Sequence, residues 1–132
     1  MSYNIKFNDS LERLEKALKS LNVAVNSKND AEYLKRDSTI KRFEYTFETF
    51  WKTLKRYMLK EGIAEDDLKT PRMIFNIAFQ INLINNQKIW LEMQEDRNIT
   101  SHIYNEDEIN IVYKNIVEKY YDEMNNVFIK LK

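Results

Sequence analysis

Apolar residues recur at intervals of three and four along almost the whole chain, which is the period of helices that bury one face. Leu11, Leu14, Leu18, Leu21 and Val25 form the first such stripe. Asp9 with Glu12 three residues on reads as a capping box, so the spacing predicts a helix from about residue 10 to 25. The polar run Asn26-Ser27-Lys28-Asn29-Asp30 breaks it, and Asn29 with Glu32 can cap the next helix. That second stripe is the longest: Ile40, Phe43, Phe47, Phe50, Trp51, Leu54 and Met58 predict a helix from about 30 to 61, with Gly62 as its stop. Thr70 then serves as a cap, with Pro71 at the first position of a third helix.

From Met73 to Gln87 no residue is charged; Ile74, Ile77, Ala78, Ile81 and Ile84 take one side, and Phe75, Phe79 and Leu83 another. A helix apolar on two sides is buried on two sides, either at the centre of a bundle or against a second subunit. Asn85-Asn86 predicts a short turn into a fourth helix, which carries Trp90, Leu91 and Met93 toward Arg97. Asn105 with Glu108 is a further capping box. After it, Ile109, Val112, Tyr113, Ile116, Tyr120, Met124, Val127 and Leu131 predict one last helix to the C-terminus. The expected fold is all-α: an antiparallel up-and-down helical bundle of four long helices plus a short one, forming a single domain over residues 1–132.

Composition agrees with that pattern. One glycine and one proline are too few for a turn-rich β protein or a glycine-lined phosphate loop. The chain has no cysteine and one histidine, which rules out disulfides and thiolate metal sites and argues against a zinc site. No stretch approaches the apolar run of a membrane span, and the N-terminal residues lack a leader's apolar segment, so the expectation is a cytoplasmic protein with no membrane partner. Basic and acidic residues balance at 21 each, against a tight sequence-blind nucleic-acid coat but compatible with local patches. One such patch is the outer face of the second helix, where Lys41, Arg42, Lys52, Lys55, Arg56 and Lys60 fall around Tyr45, with Glu44 and Glu48 along one border. It reads either as a solvated face or as a footprint for a polyanion or partner.

The only histidine, His102, lies in Glu95-Asp96-Arg97-Asn98-Ile99-Thr100-Ser101-His102-Ile103-Tyr104. On one straight helix Arg97 and His102 would point about 140° apart. A break would bring them together, and Asn98, which tolerates a left-handed helix end, followed by the weak helix formers Ile99 and Thr100, offers one. Arg97 is then a fixed planar cation and His102 a group that exchanges a proton near neutral pH. Taken alone, a histidine near a helix end is more often a capping or packing residue than a catalyst.

The spacing Arg97-x4-His102-x-Tyr104 resembles the motif of the HEPN superfamily, in the HepT-like toxin branch encoded beside small nucleotidyltransferases. The stretch from Asp37 to Glu48 leading to Trp51-Lys52, and Thr70-Pro71-Arg72, are similar to the subgroup called nucleotidyltransferase substrate-binding proteins. The resemblance covers roughly residues 10 to 130. It implies a homodimer whose motifs meet across the interface and cleave RNA without a metal or cofactor, with Arg97 and His102 catalytic. It also implies a cognate small nucleotidyltransferase as antitoxin, which silences the toxin by AMPylation of Tyr104. Asn98 has two readings, a phosphate-positioning residue or a helix cap, and Tyr104 likewise either accepts AMP or covers the motif. The same resemblance leaves open a non-catalytic substrate-binding subunit, in which Arg97 and His102 hold a phosphate and turn nothing over. Glu95, Asp96, Glu106, Asp107 and Glu108 bracket the motif as a magnesium site could, but Glu106 to Glu108 are better explained as first-turn helix residues.

Overall fold

Residues 2–28, 32–102 and 105–132 are described by the computed structural model of the chain. Helix α1 (Tyr3–Val25) begins earlier than the Asp9 signal: Ser2 is the cap, its hydroxyl accepting from the Ile5 N–H at 3.3 Å. The reason is Phe7, which is buried edge-on against Tyr57 at 5.4 Å and extends the inward stripe by a further turn. A capping pair inside a stripe that continues past it caps nothing. Helix α2 (Glu32–Lys60) is the central element, with Phe43, Phe47, Phe50, Leu54 and Met58 buried. The proposed Asn29 cap lies outside the described residues. At the other end the expected stop is present. Gly62 takes φ 90° and donates to the Leu59 carbonyl at 3.1 Å, while Ile63 donates to Met58 at 3.0 Å, closing the helix with a left-handed residue.

A single 3-10 turn (Glu65–Asp67) leads to α3 (Pro71–Gln80), capped by Thr70, whose hydroxyl accepts from the Met73 N–H at 3.2 Å. Helix α3 is shorter than its apolar run. Asn82 adopts φ 64°, the role glycine plays after α2, with Leu83 N–H bonding the Ala78 carbonyl at 2.9 Å. The turn therefore precedes Asn85-Asn86, and Asn86 instead caps α4 (Gln87–Thr100) by accepting from the Ile89 N–H at 3.3 Å. Within the single chain α3 is buried on one side: Ile74, Phe75 and Ala78 face the core, and Phe79 stays 45% exposed.

Asn105 caps α5 (Glu106–Asn115), its side chain accepting from the Asp107 and Glu108 N–H groups at 2.8 and 3.3 Å. A π turn (Ile116–Tyr120) joins it directly to α6 (Tyr121–Leu131). Val112, Ile116, Tyr120 and Met124 are all buried. Three successive steps of four residues exceed the roughly 10.8 residues in three α turns, and the wider turn absorbs about one. The architecture is the antiparallel helical bundle that the sequence predicts: α1 lies along α2, α3 to α5 pack on other sides of α2, and α6 returns against α1. Trp90 of α4 sits at the centre, 4.8 Å from Phe50 and 5.4 Å from Phe75 between ring centroids. Among the described residues no helix is long and apolar enough to cross a membrane.

Candidate functional site

The core decides where Arg97 points. Trp90, Met93, Arg97 and Thr100 follow one another at three-four-three spacing on α4, so Arg97 continues the inward stripe after the apolar residues end. It meets carboxylates there instead of aromatics. Its Nη1 lies 3.2 Å from Glu44 Oε2 and its Nε 4.0 Å from Glu48 Oε1, both from α2. The side chain is 24% exposed, and its Nε has no hydrogen-bond partner among the described residues. Nη1 also donates to the Ser101 hydroxyl. Thr100 Oγ1 lies 2.7 Å from the Arg97 carbonyl and 3.1 Å from Glu44 Oε2; its one proton serves either acceptor.

The expected break at Asn98 is absent. Helix α4 runs through Asn98 and Ile99 to Thr100, and Asn98 does not have a left-handed backbone; it is exposed and makes no side-chain hydrogen bond among the described residues. The weak propensity of Ile99 and Thr100 is overridden because Thr100 is tied to Glu44 on the neighbouring helix. The chain leaves the helix one turn later, where Ser101 N–H bonds the Asn98 carbonyl at 3.2 Å and His102 N–H bonds Ile99 at 3.0 Å. His102 is exposed beyond the helix end, its side chain bonded to no described residue. Arg97 and His102 therefore both lie at the exit of α4 with no hydrogen bond between them. Tyr104 lies outside the described residues.

Two further clamps fix this exit, and sequence reasoning missed both. Arg36 of α2 is only 6% exposed, and reaches Glu106 Oε2 at 2.6 Å, Asn110 Oδ1 at 3.2 Å and Asp37 Oδ1 at 3.0 Å. This ties the start of α5, just after the motif, to α2. The signal was available: Arg36 precedes Ile40, Phe43 and Phe47 in the same stripe, and a charge in an apolar register needs a partner. On the other side, Asp96 Oδ2 accepts from the Tyr120 hydroxyl at 2.5 Å and from Asn115 Nδ2 at 3.0 Å. Burial, then the hydrogen bond to Asp96, push the Tyr120 phenol well above the ordinary tyrosine range. Glu106 and Asp96 thus have protein partners of their own, and Glu106, Asp107 and Glu108 do occupy the first turn of α5.

The chain is thus an α-helical bundle that displays Arg97 and an exposed His102 at one braced helix exit. The family described as nucleotidyltransferase substrate binding protein like matches residues 9–132, and the chain belongs to that family. A protein named probable ribonuclease HepT, from Haemophilus influenzae, is 32% identical over 79 residues, which are 58% of this chain and 54% of that protein. The match thus spans about half the length of that relative. A Thermus thermophilus crystal structure superposes with TM-score 0.78 at 32% identity, covering 90% of this chain and 98% of that one. A Haemophilus influenzae structure, described as having the fold of a substrate binding domain of a nucleotidyltransferase, gives 0.80 at 26% identity over 92% of this chain and 98% of that one.

Proposed function

We propose that this chain is the HEPN toxin of a minimal nucleotidyltransferase–HEPN pair, a metal-independent endoribonuclease that acts as a homodimer and is silenced by AMPylation of Tyr104. The observation that carries the proposal is the pairing, at one helix exit, of a braced Arg97 with an exposed His102 free of protein partners among the described residues. In the reaction His102 takes the proton of a ribose 2′-hydroxyl, the 2′-oxygen attacks phosphorus, and the 5′-oxygen leaves with a proton from a second acid. The products are a 2′,3′-cyclic phosphate and a free 5′-hydroxyl. Arg97 holds the non-bridging oxygens as charge grows on them. One histidine cannot be base and acid in the same step, so the second acid is His102 of a second copy. Silencing follows from attack of the Tyr104 phenol oxygen on the α-phosphorus of ATP held by the partner, the phenol proton passing to solvent as pyrophosphate leaves. Bulk and negative charge then stand two residues from His102.

A second reading has its own support. Glu44 and Glu48 already balance the charge of Arg97 within one chain, as suits a non-catalytic substrate-binding subunit of a two-component nucleotidyltransferase. The test is RNA cleavage in EDTA by wild type and His102→Ala, with the mass of Tyr104-containing peptides checked beforehand. Cleavage by wild type alone supports the ribonuclease. Cutting by neither protein, with Tyr104 unmodified, rejects the ribonuclease in favour of the binding subunit.

A further inference from the structure

We infer that the groove between α1 and α2 is the binding track for the phosphodiester backbone of single-stranded RNA, with Tyr45 as its stacking platform. The inference takes RNA as ligand from the ribonuclease reading above. Three adjoining depressions make the groove continuous: Arg13 and Tyr45 line the first and second, and Lys52 and Arg56 the second and third. Lys16 and Lys41 flank one end, and Lys6 and Lys55 the other.

Charge is segregated here in a chain whose formal net charge is zero. Glu65 is the only carboxylate lining the groove among the described residues, and it pairs with Lys55 at 3.9 Å; the nearby Asp9 and Glu12 of α1 do not line it. Two of the cations are structural. Arg42 donates to the Ser20 carbonyl at 2.9 Å and Arg56 to the Ser10 hydroxyl at 2.6 Å, fastening α2 to α1. Lys16, Lys41 and Lys52 are exposed and form no ion pair among the described residues; Lys52 rests 5.7 Å from the Trp51 ring, a contact that leaves its ammonium open to a phosphate as Lys16 and Lys41 are. Tyr45, between them, is 58% exposed, and its side chain has no aromatic partner in the described core.

Spaced cations around an accessible aromatic ring are what a single strand needs: charge for the backbone and a π-face for a base. An acidic protein partner would use the lysines but gain little from an open phenol ring. A helical rise of about 1.5 Å per residue separates Lys41 from Lys55 by about 21 Å, room for several nucleotides. Tyr45 follows Glu44, the residue that holds Arg97, about 100° around the same helix. A strand on Tyr45 therefore needs only to cross the shoulder of α2 to reach the exit of α4.

The test uses fluorescence anisotropy of a fluorescein-labelled single-stranded RNA of about twenty nucleotides. It is run on the His102→Ala protein, so that the RNA stays intact, and on that protein carrying either Lys16→Gln with Lys41→Gln or Tyr45→Ala. Loss of two phosphate contacts should lower affinity about 10- to 30-fold near 0.1 M salt and flatten the log–log salt slope by about 1.4. Tyr45→Ala should lower affinity about 5-fold or more with the slope unchanged. Matching thermal melts exclude misfolding. Unchanged affinity and slope in both variants overturns the groove, as does weakened binding of the nucleotidyltransferase with RNA binding intact. The same substitutions with His102 restored separate the two readings. Wild-type cleavage with indifferent groove variants sinks the groove alone, whereas groove-dependent binding without wild-type cleavage upholds the groove and sinks the ribonuclease.

Discussion

Removing one oxygen, in Tyr120→Phe, tests whether the brace behind the motif contributes to the fold as its geometry implies. Tyr120 is fully buried and its ring stacks 5.6 Å from Phe43, contacts that phenylalanine keeps. What is lost is the 2.5 Å hydrogen bond to Asp96 Oδ2. Hydrogen bonds to charged groups are worth about 1.5–3 kcal/mol. Asp96 retains Asn115 at 3.0 Å and is partly exposed, so the lower part of that range applies, about 1.5–2 kcal/mol. With an unfolding entropy of about 2.1 cal/mol/K per residue, the Tm should fall by about 5–7 °C. Circular dichroism melts at one fixed protein concentration measure this, since association would otherwise shift the Tm.

The pH dependence supplies a second check on the same variant. Burial first, and Asp96 next, raise the Tyr120 ionisation in the folded state above its unfolded value of about 10. Its stabilising contribution is therefore fully present below about pH 10 and is lost as pH rises further, because the unfolded chain ionises first. The gap between wild type and Tyr120→Phe should narrow above that pH. Tyr57 and Tyr121, whose ionisations burial also raises, remain in both proteins and leave both curves falling. An unchanged Tm at neutral pH, or a gap that stays constant into the alkaline range, would refute the brace.

Glu44→Gln removes the charged partner 3.2 Å from Arg97 and should lower stability by about 1–2 kcal/mol in urea titrations. Gly62→Ala places a Cβ in open space but on a backbone at φ 90°, so the cost is conformational alone, about 1–2 kcal/mol, read as a lower urea midpoint at constant m. Phe79→Asp should leave the helical circular dichroism of the bundle nearly unchanged and shift sedimentation to a single chain if α3 forms the dimer face. The same change at Phe75 would unfold the protein, since that ring packs against Phe47 and Trp90.

Periodicity carried most of the fold because each stripe is also a packing surface. It was least informative where two signals overlapped. Asn82, Asn85 and Asn86 are all turn formers, and only the backbone shows that Asn82 takes the left-handed position while Asn86 caps α4. The apolar content of Ile81 to Ile84 masked a turn, since Leu83 and Ile84 are buried from non-helical positions. The wide turn at Ile116–Tyr120 was legible as three consecutive steps of four but needed a count against the α period. At the site, local propensity around Asn98 pointed to a break that the tie from Thr100 to Glu44 removes. The three-four-three register from Trp90 to Thr100 was the better guide, because it depends on the partner helix and not on the residue itself.

On the ribonuclease reading proposed above, the placement of Arg97 also constrains how a phosphate can approach. Its Nη1 is occupied by Glu44 and Ser101, whereas Nη2 and Nε have no hydrogen-bond partner among the described residues. A phosphate oxygen can therefore reach Nη2 without displacing Glu44. It would then meet an oriented cation whose charge is partly neutralised by two carboxylates on α2. Such an arginine gives direction more than affinity, because the carboxylates that fix its plane also repel the incoming anion. Affinity has to come from elsewhere, either from a second copy's motif or from a remote cationic surface. The lysines of the α1–α2 groove, on the far shoulder of the helix that supplies Glu44, are placed to provide it. If both proposals hold, separating a weak, well-oriented reacting centre from a remote binding surface would let binding energy position the substrate without holding it too tightly at the reacting atoms.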